Sequence, residues 1–587
     1  MEAQSSSALS AESPSQREIY SHQQAHDGQW DSDVPTSLSA PTRCMMIFDL
    51  QWKVFQLVHD TFNTVCSRNQ TLLALALTCK SFTKLALDLL WQDLRGLAPL
   101  VRCLPQSLWK HVEGKLEFQR PMTFDDWLIF SKYAHRVRSL NNTTIYGMDP
   151  LDIEIWRTLS CPPFFLPLLP NLMSLIWSEA ATEKFIYIRL FVTPKLKTLN
   201  ISNRIAFGLT EQSVLLSIPM LCPAVSDLSL YPLMKSGDMS SSLQRWSHLS
   251  YVSIGEVSEA AILHLSNSPS LQFLKFYLSS MPISADTQKL LRYPAFCALQ
   301  ELHIKCVALE LVDAFMETLS IAPKVLSITI NNQPDTQRAL PISISRLSNA
   351  CVHSSLQQVQ LHINDRSDSF DAIGAAPFQP LYAMRNLRKL DFEVNLQVHL
   401  DEASLLQMAM AWPLLEELYF NRDESDDVTP HAFVLLLQHC PCLVSVGIAV
   451  DWSTIDGHDI SPDVPYQGFA HEALSRAFFG APRIYHPARI AAFISAIAPN
   501  MKSIQVWDFE FSEDDPDCDT YTARWDLVQD LIKSFSTVRD QGRRMVLNAG
   551  GEANGKIRSP YGHCGVMQPA QETESREAAV GGNVGWD

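Results

Sequence analysis

The sequence contains no apolar run that could cross a membrane as one helix and no strongly basic segment. Its most apolar stretch, residues 161–177, is interrupted by Pro162, Pro163, Pro167 and Pro170, and prolines break a spanning helix. Lys and Arg total 46 against 63 Asp and Glu, a net charge of −17, so nucleic acid and anionic membrane surfaces would be repelled. We therefore expect no nucleic-acid partner and no membrane partner.

Disulfide and zinc frameworks are also missing. The 13 cysteines include no C-x-x-C pair and no finger-type spacing with histidine, which predicts reduced thiols in a cytoplasmic or nuclear protein. The first twenty residues have no positive region and no apolar run, so we expect no signal peptide. The acidic runs 421–427 and 512–519 lack the order of a calcium loop, which favours solvated loops and no metal.

Common catalytic motifs are absent as well. The chain has no phosphate-binding loop, no dinucleotide fingerprint, no H-E-x-x-H and no G-x-S-x-G, so we expect a non-enzyme without a cofactor. Cys161, Cys222 and Cys440 each precede a proline. A nucleophile is one interpretation of these cysteines, and a small buried residue that packs between repeats is the favoured one.

The middle of the chain repeats one pattern: an aliphatic residue, two others, an aliphatic residue, one other, and an apolar residue. The first positions of the twelve matches are residues 172, 196, 225, 249, 271, 299, 325, 356, 387, 415, 443 and 501. Successive matches are 22–31 residues apart except for the last step of 58. That step is about twice a unit, which predicts one unrecognised or insertion-bearing repeat.

A proline lies two residues before the first position in eight of the twelve matches. Proline ends a helix and drives its neighbour toward extended geometry, so helix should give way to strand at a fixed point. The segments 401–412 and 431–440 have helical apolar patterns. One helix and one short strand per unit is the leucine-rich-repeat pattern, which predicts an α/β solenoid with a parallel sheet.

The side chains beside the third apolar position should point out of the concave sheet, because strands alternate sides with a period of two. These positions are mostly polar or aromatic, as a partner-binding surface requires. The candidate substrate-binding residues are Tyr231, Lys275, Tyr277, His303, Lys305, His362, Asp391, Tyr419 and Trp507. A merely solvated face is the alternative.

The predicted organisation has five segments. They are a disordered N-terminal segment (1–40), a three-helix module (44–94), a helical linker with a first irregular repeat (95–165), the solenoid (166–540) and a disordered Gly-rich tail (541–587). The three-helix module contains too few residues for a large core. We therefore expect it to bury much of its apolar surface against a partner.

The three-helix module resembles the F-box in the form common among fungal F-box proteins. The residues that carry the resemblance are Ile47, Phe48, Leu50 and Val54 at its start, Leu77, Cys79, Lys80 and Phe82 at its centre, and Leu89 and Trp91 at its close. The resemblance extends through a linker to about residue 140. It implies that these ten residues contact the Skp-type adaptor of a Skp–cullin–F-box ubiquitin ligase, and that the repeats select an unknown protein substrate.

Two alternatives stay open. Phe48 and Asp49 stand where the F-box family has proline and glutamate, which leaves an F-box-like scaffold without ubiquitin transfer as the second hypothesis. A hydrolase within the irregular segment 451–498 is the third.

Overall fold

The computed structural model describes most of the chain between Ile47 and Ala549. The described residues are 47–61, 65–143, 150–178, 182–202, 208–231, 240–278, 282–291, 295–365, 372–394, 397–420, 428–460, 465–506 and 518–549. They form two compact units. Unit 1 contains the residues up to 279 together with 284–299, and unit 2 contains 280–283 together with the residues from 300 onward.

Unit 1 begins with three helices and continues as alternating strands and helices. Its helices are α1 (Phe48–Thr61), α2 (Val65–Thr78), α3 (Lys80–Leu90), α4 (Ala98–Arg102), α5 (Phe124–Ala134), α6 (Ile153–Leu159), α7 (Leu209–Leu221), α8 (Ser240–Leu243), α9 (Glu259–Ser266) and α10 (Ala285–Leu290), with a 3₁₀ segment at Thr182–Leu190. Its strands are β1 (Asp93–Arg95), β2 (Trp109–Val112), β3 (Lys115–Phe118), β4 (Ser139–Thr143), β5 (Ser174–Ser178), β6 (Thr198–Ser202), β7 (Asp227–Tyr231), β8 (Tyr251–Glu256) and β9 (Phe273–Tyr277).

The sheet of unit 1 adds its strands in chain order. Strands β1 and β4–β9 pair successively and always in parallel, while β2 and β3 form a separate antiparallel hairpin. Strands β4, β5, β6 and β9 alternate half-buried and buried residues. One face of the sheet therefore packs in the core and the other stays accessible.

Unit 2 repeats the same arrangement. Its strands are β10 (Glu301–Cys306), β11 (Val325–Gln333), β12 (Gln358–Asp365), β13 (Ala372–Gly374), β14 (Lys389–Val394), β15 (Gln397–His399), β16 (Glu417–Phe420), β17 (Ser445–Gly447), β18 (Arg476–Phe478) and β19 (Ser503–Gln505). Its helices are α11 (Leu309–Met316), α12 (Thr336–Ala350), α13 (Glu402–Ala411), α14 (Pro430–His439), α15 (Ser453–Asp456), α16 (Pro487–Ile497) and α17 (Cys518–Ala549), with 3₁₀ segments at Ala376–Ala383 and Pro465–Gly468.

The strand order of unit 2 also follows the chain. Strands β10, β11, β12, β14, β16, β17, β18 and β19 pair successively in parallel, and β13 pairs with β15 beside them. Sequential parallel strands separated by helices define a leucine-rich-repeat-like solenoid. The predicted fold class is therefore confirmed.

The prolines end the helices where the sequence predicts. Cys222, Trp412, Cys440 and Ala498 each cap a helix and directly precede a proline. Their backbone torsions, such as φ −123° and ψ 63° at Trp412, lie outside the helical region. A proline disfavours helical geometry at the residue before it, so each helix stops at the same distance from the next strand.

One repeat is displaced from its predicted phase. In the observed register Leu302 faces Leu326 and Ile304 faces Ile328, whereas the sequence pattern places the second and third apolar positions of this unit at Ile328 and Ile330. The shift is two residues. Apolar residues alternate along β11 at Leu326, Ile328 and Ile330, so two adjacent pairs of this series fit the pattern. An even shift keeps each side chain on its predicted side of the sheet.

Three of the successively paired strands lie outside the twelve matches. Strands β1 and β4 precede residue 166, where the solenoid is predicted to begin. Strand β18 fills the step of 58 residues, which confirms the expected extra repeat. Residue Asn142 of β4 occupies an interior position opposite Trp177, so a search for three apolar residues misses that strand.

Helix α17 covers the end of the sheet in unit 2. Its buried residues Tyr521, Trp525, Val528 and Ile532 recur at intervals of three and four, which places them on one helical face. The side chain of Gln529 accepts a hydrogen bond from the backbone N–H of Ile504 at 2.8 Å, so it satisfies a donor of the edge strand.

The two ends that the sequence predicts to be disordered lie mostly outside the described residues. Residues 1–40 lie outside the described residues, and so do the acidic runs 421–427 and, for the most part, 512–519. Helix α17 continues to Ala549, within the range that the sequence assigns to the tail.

Candidate protein-interaction surfaces

Helices α1, α2 and α3 share one small core. It consists of Phe55, Leu72, Ala76, Leu85, Ala86 and Leu89, with Phe82 and four other apolar residues packed against it. The rings of Phe55 and Phe82 meet edge to face, with centroids 5.2 Å apart. These contacts place α1 and α3 side by side. The small size of the core leaves several large apolar side chains outside it.

The apolar side chains outside this core form what we call the docking face. It consists of Ile47, Phe48, Leu50, Val54, Leu57, Leu73 and Leu77. Leu77 is 78% exposed and Phe48 is 65% exposed. Leu50, Val54 and Leu57 follow helical spacing along α1, and Leu73 and Leu77 lie one turn apart on α2, so each helix presents one apolar stripe. Apolar stripes left in water mark interaction surfaces in soluble proteins.

The ten predicted adaptor-binding residues divide between the docking face and the core. Cys79 and Lys80 are exposed at the start of α3, and Ile47, Phe48, Leu50, Val54 and Leu77 belong to the docking face. Phe82 and Trp91 are half-buried. Leu89 is 1% exposed. Its side chain packs within the core and is not accessible to a partner.

Cys79 caps α3 with extended backbone geometry, φ −156° and ψ 160°. Its Sγ lies 3.0 Å from Ser81 Oγ, and this side-chain hydrogen bond lowers the pKa of the Cys79 thiol. The buried cysteines behave in the opposite way, because loss of solvent raises the pKa of Cys222 and of Cys440 to about 12. Both are packing residues, as the sequence predicts, whereas Cys161 is exposed.

Several contacts fasten the three helices to the first strands of unit 1. Nε2 of the buried His59 lies 3.1 Å from the Asp93 carboxylate at the start of β1. Arg136 forms an ion pair with Asp88 of α3. The ring of Trp91 packs on Tyr133 of α5 with centroids 4.7 Å apart. The docking face is consequently held in a defined orientation relative to the beginning of the sheet.

The accessible side of the sheet in unit 2 is built from rows of side chains that the strand register aligns. We call this surface the open face. One row runs Glu301, Val325, Gln358, Lys389, Glu417, Ser445 and Arg476; a second runs His303, Ser327, Gln360, Asp391, Tyr419 and Gly447; a third runs Lys305, Thr329, His362 and Glu393. Five of the predicted substrate-binding residues lie in the second and third rows.

Charges of opposite sign pair within these rows. Glu417 lies between Lys389 and Arg476, at 3.0 Å from each. His362 lies 3.1 Å from Glu393 and 3.7 Å from Asp391. Asp391 is buried despite its predicted exposure, because its neighbours on both adjacent strands, Gln360 and Tyr419, are long. The open face therefore offers a mixed-charge surface whose side chains are already ordered.

Tyr419 is fixed on the open face by a glycine that the sequence reasoning missed. Its hydroxyl lies 2.6 Å from Ser445 Oγ, and its ring covers the backbone of Gly447 in the next strand. A Cβ atom built on Gly447 would lie 2.5 Å from Tyr419 Cδ1. A larger residue here would displace the ring.

Replacement of Gly447 by alanine is expected to lower the free energy of unfolding by about 1–3 kcal/mol, the usual cost of overpacking. The matched variant Ser445→Ala removes the hydrogen bond without a clash and should cost about 1 kcal/mol. Urea unfolding followed by circular dichroism measures both. Equal stability of wild type and Gly447→Ala would contradict this placement of Tyr419.

The accessible side of the sheet in unit 1 carries a stacked aromatic pair. Tyr251 and Phe273 are register neighbours, with ring centroids 4.1 Å apart and an interplanar angle of 10°. Lys275 and Tyr277, both predicted substrate-binding residues, are half-buried further along β9. The stacked pair is absent from the predicted binding residues because its rings occupy positions that precede the third apolar residue of each unit by three.

Two predicted substrate-binding residues cannot be placed on either surface. Trp507 lies outside the described residues, and Tyr231 ends β7 without a described side chain. Both stay predictions.

The segment 451–498 contains α15, β18 and α16 in place of an irregular insertion. Its one close acid–histidine pair is Asp456 with His486, at 3.3 Å within the described residues. Asp456 also accepts hydrogen bonds from the backbone N–H groups of Tyr485 and His486, so it fastens a loop. These contacts hold a loop in place, and the hydrolase hypothesis for this segment stays a hypothesis.

Nowhere in the described ranges do three or more histidine, cysteine or acidic side chains gather as metal ligands. Of the helices in those ranges, none combines the length and apolar character that a membrane crossing requires.

Comparisons with known proteins give limited likeness. No protein-family model and no curated protein matches the chain. Among solved structures, an internalin from Listeria monocytogenes is 13% identical, covers 58% of this chain and 82% of its own, and has a TM-score of 0.31. The yeast Rad7 and Elc1 complex is 14% identical, with coverage of 65% and 92% and a TM-score of 0.31. A leucine-rich-repeat-containing protein of Legionella pneumophila, LegL7, is 12% identical, with coverage of 68% and 98% and a TM-score of 0.26.

Likeness at these TM-scores carries no argument about function. The class of protein is defined by the chain's own strand order, which is that of a leucine-rich-repeat-like solenoid. Solenoids of this kind present extended surfaces for binding other proteins.

Proposed function

We propose that this protein is an F-box substrate receptor of a Skp–cullin–F-box ubiquitin ligase. Helices α1–α3 would dock onto the Skp-type adaptor, and the repeats would recruit a protein substrate. The observation that carries the proposal is the docking face, which leaves Leu77 78% exposed in the same segment whose residues resemble the F-box. A module of this size gains stability when a partner covers such a surface.

The mechanism is proximity. A receptor that holds a substrate lysine near a charged conjugating enzyme raises the effective concentration of the two reactants. No residue of this chain takes part in bond formation, and no cofactor is required. The contacts of His59, Arg136 and Trp91 with the start of the sheet support this role, since they fix the orientation of the docking face within unit 1.

The open face of unit 2 is the proposed substrate surface. Its paired charges and the fixed Tyr419 ring are preorganised, and preorganised side chains lose little conformational entropy when a partner binds. The cytoplasm and the nucleus are the compartments where we expect the complex to act.

The proposal is tested by size-exclusion chromatography of the full chain with a purified Skp-type adaptor. We expect co-elution at equal stoichiometry, and a further shift when cullin is added. The double variant Leu50→Asp with Leu77→Asp should elute separately from the adaptor. The control Leu209→Asp changes a leucine that is 83% exposed on α7, and it should still co-elute.

Failure of the wild type to co-elute, or co-elution of the double variant, would overturn the proposal. Phe48 in place of the family's proline keeps a second candidate in view, a scaffold that binds a partner without ubiquitin transfer. Binding of the adaptor without a further shift on addition of cullin would favour that scaffold.

A further inference from the structure

A half-enclosed cavity of about 500 Å³ lies in unit 2, between the segment that follows β17 and one side of α16. Its first wall consists of Thr454, Ile455, His458, Asp459 and Ile460; its second consists of Arg489, Ala492, Phe493 and Ala496, and Pro465 closes one end. Folded proteins pack their interiors densely, and a space of this size is typical of small-molecule sites.

The cavity exists because two small residues occupy the side of α16 that faces it. Ala492 and Ala496 lie one turn apart on α16 and face the cavity, while Ile490, Ile494 and Ile497 bury the other side of the helix in unit 2. A leucine or phenylalanine at either alanine would fill the space.

The end of the cavity is held open by a strained turn. Tyr466 and Gln467 have φ values of 47° and 57°, a left-handed backbone geometry that is unfavourable for residues other than glycine. Packing offsets the cost, since the Tyr466 ring stacks on His431 at 5.8 Å and meets Phe493 edge-on at 6.2 Å. Pro465 is thus fixed at the rim instead of collapsing onto α16.

Arg489 supplies the cation of the cavity. Its Nη1 donates to the backbone carbonyl of Asp456 at 2.7 Å, so its position does not depend on a flexible partner. Its Nη2 donates to Asp459 at 2.6 Å. The Asp459 side chain is 93% exposed, and ion pairs with such exposed groups contribute little to stability.

A second cavity of about 470 Å³ adjoins the first and shares Asp459, Ile460 and Arg489 with it. The guanidinium therefore lies at the junction of two apolar spaces. A carboxylate that entered from either side could take the place of Asp459 and receive two parallel hydrogen bonds from the guanidinium, the geometry that arginine favours.

We propose that this cavity binds a small amphipathic carboxylate, with its apolar body between Ile455 and Phe493 and its carboxylate on Arg489. His458 lines the rim, where its Nδ1 lies 2.6 Å from the carbonyl of Thr454. The site lies in unit 2 and involves no residue of the docking face, so it is independent of adaptor binding.

The proposal is tested on the full chain with 11-(dansylamino)undecanoic acid, whose fluorescence rises in an apolar site. We expect saturable binding, displacement by decanoate, and displacement at least tenfold weaker by decanol. The absence of saturable binding would overturn the proposal, and so would equal displacement by the acid and the alcohol or stronger displacement by decyltrimethylammonium.

Three variants locate the site. Ala492→Phe should lower probe affinity at least tenfold by filling the cavity, and Arg489→Gln should abolish the preference for decanoate over decanol. Lys533→Gln, an exposed change on α17, should leave binding unchanged. Melting curves must show that the variants are folded; if Ala492→Phe is unstable, Ala496→Leu replaces it. Folded cavity variants that bind the probe like wild type would contradict the proposed location.

Discussion

Replacement of Leu77 by alanine is expected to weaken adaptor binding tenfold or more without a change in melting temperature. The side chain is 78% exposed, so the free protein loses no packing. In the complex a leucine that becomes fully buried contributes about 1.5–3 kcal/mol, and 1.4 kcal/mol corresponds to a factor of ten in affinity. Isothermal titration with the adaptor and differential scanning calorimetry measure the two quantities.

Leu72 is the matched control for this prediction. It lies five residues earlier on the same helix and is 0% exposed, so Leu72→Ala should lower the free energy of unfolding of the helical module by about 2–5 kcal/mol. The two variants separate an interaction surface from a core. A lowered melting temperature for Leu77→Ala, or an unchanged affinity, would show that the docking face has been assigned wrongly.

Replacement of Trp412 by alanine is expected to produce the largest loss of stability, about 3–5 kcal/mol. The ring is fully buried at the end of α13, its Nε1 donates to the carbonyl of Leu381 at 3.1 Å, and it meets Tyr382 edge-on at 5.6 Å. Alanine would leave a cavity between two neighbouring repeats and remove one of the two hydrogen bonds that the Leu381 carbonyl accepts.

Met410→Ala is the control, because Met410 is exposed two residues earlier on the same helix and should change stability by less than about 0.5 kcal/mol. Urea unfolding followed by circular dichroism gives both values. Similar unfolding curves for the two variants would contradict the burial of Trp412 between the repeats.

The repeat pattern predicted the strands well because it combines two kinds of information. It contains the apolar residues that face the interior and the number of residues between successive units. A strand needs two inward residues, and proline marks where the preceding helix stops, so Leu418 with Phe420 and Val446 with Ile448 identify their units without further information. The same logic explains the error at β11. Apolar residues at Leu326, Ile328 and Ile330 allow two phases, and only pairing with β10 and β12 selects one.

Local sequence features explain why the repeat pattern does not match β4 and β18. Asn142 replaces an apolar residue in β4, and β18 presents Ala477 without a proline two residues before its first aliphatic position. Helix α17 carried a readable signal in the spacing of Tyr521, Trp525, Val528 and Ile532, within the range predicted as solenoid. Glycine content placed the start of the tail at residue 541, which lies inside this helix.

The surfaces were less predictable than the fold. The period of two assigned sides correctly to Lys275, His303 and Tyr419, since an alternation is local. It could not predict how deeply a side chain is buried. Asp391 is buried beside residues of the neighbouring strands, and the position of the Tyr419 ring depends on the absence of a side chain at Gly447. The resemblance to the F-box likewise could not separate Leu89, a core residue, from Leu77, because both satisfy the same pattern of residue types.

Hydrogen exchange of the full chain with and without the Skp-type adaptor tests the central claim most directly. The account predicts slower amide exchange confined to Phe48–Leu90, with the strongest protection along α1 and α2. Protection that is absent from these helices, or that appears instead on the strands of the open face, would contradict docking through α1–α3.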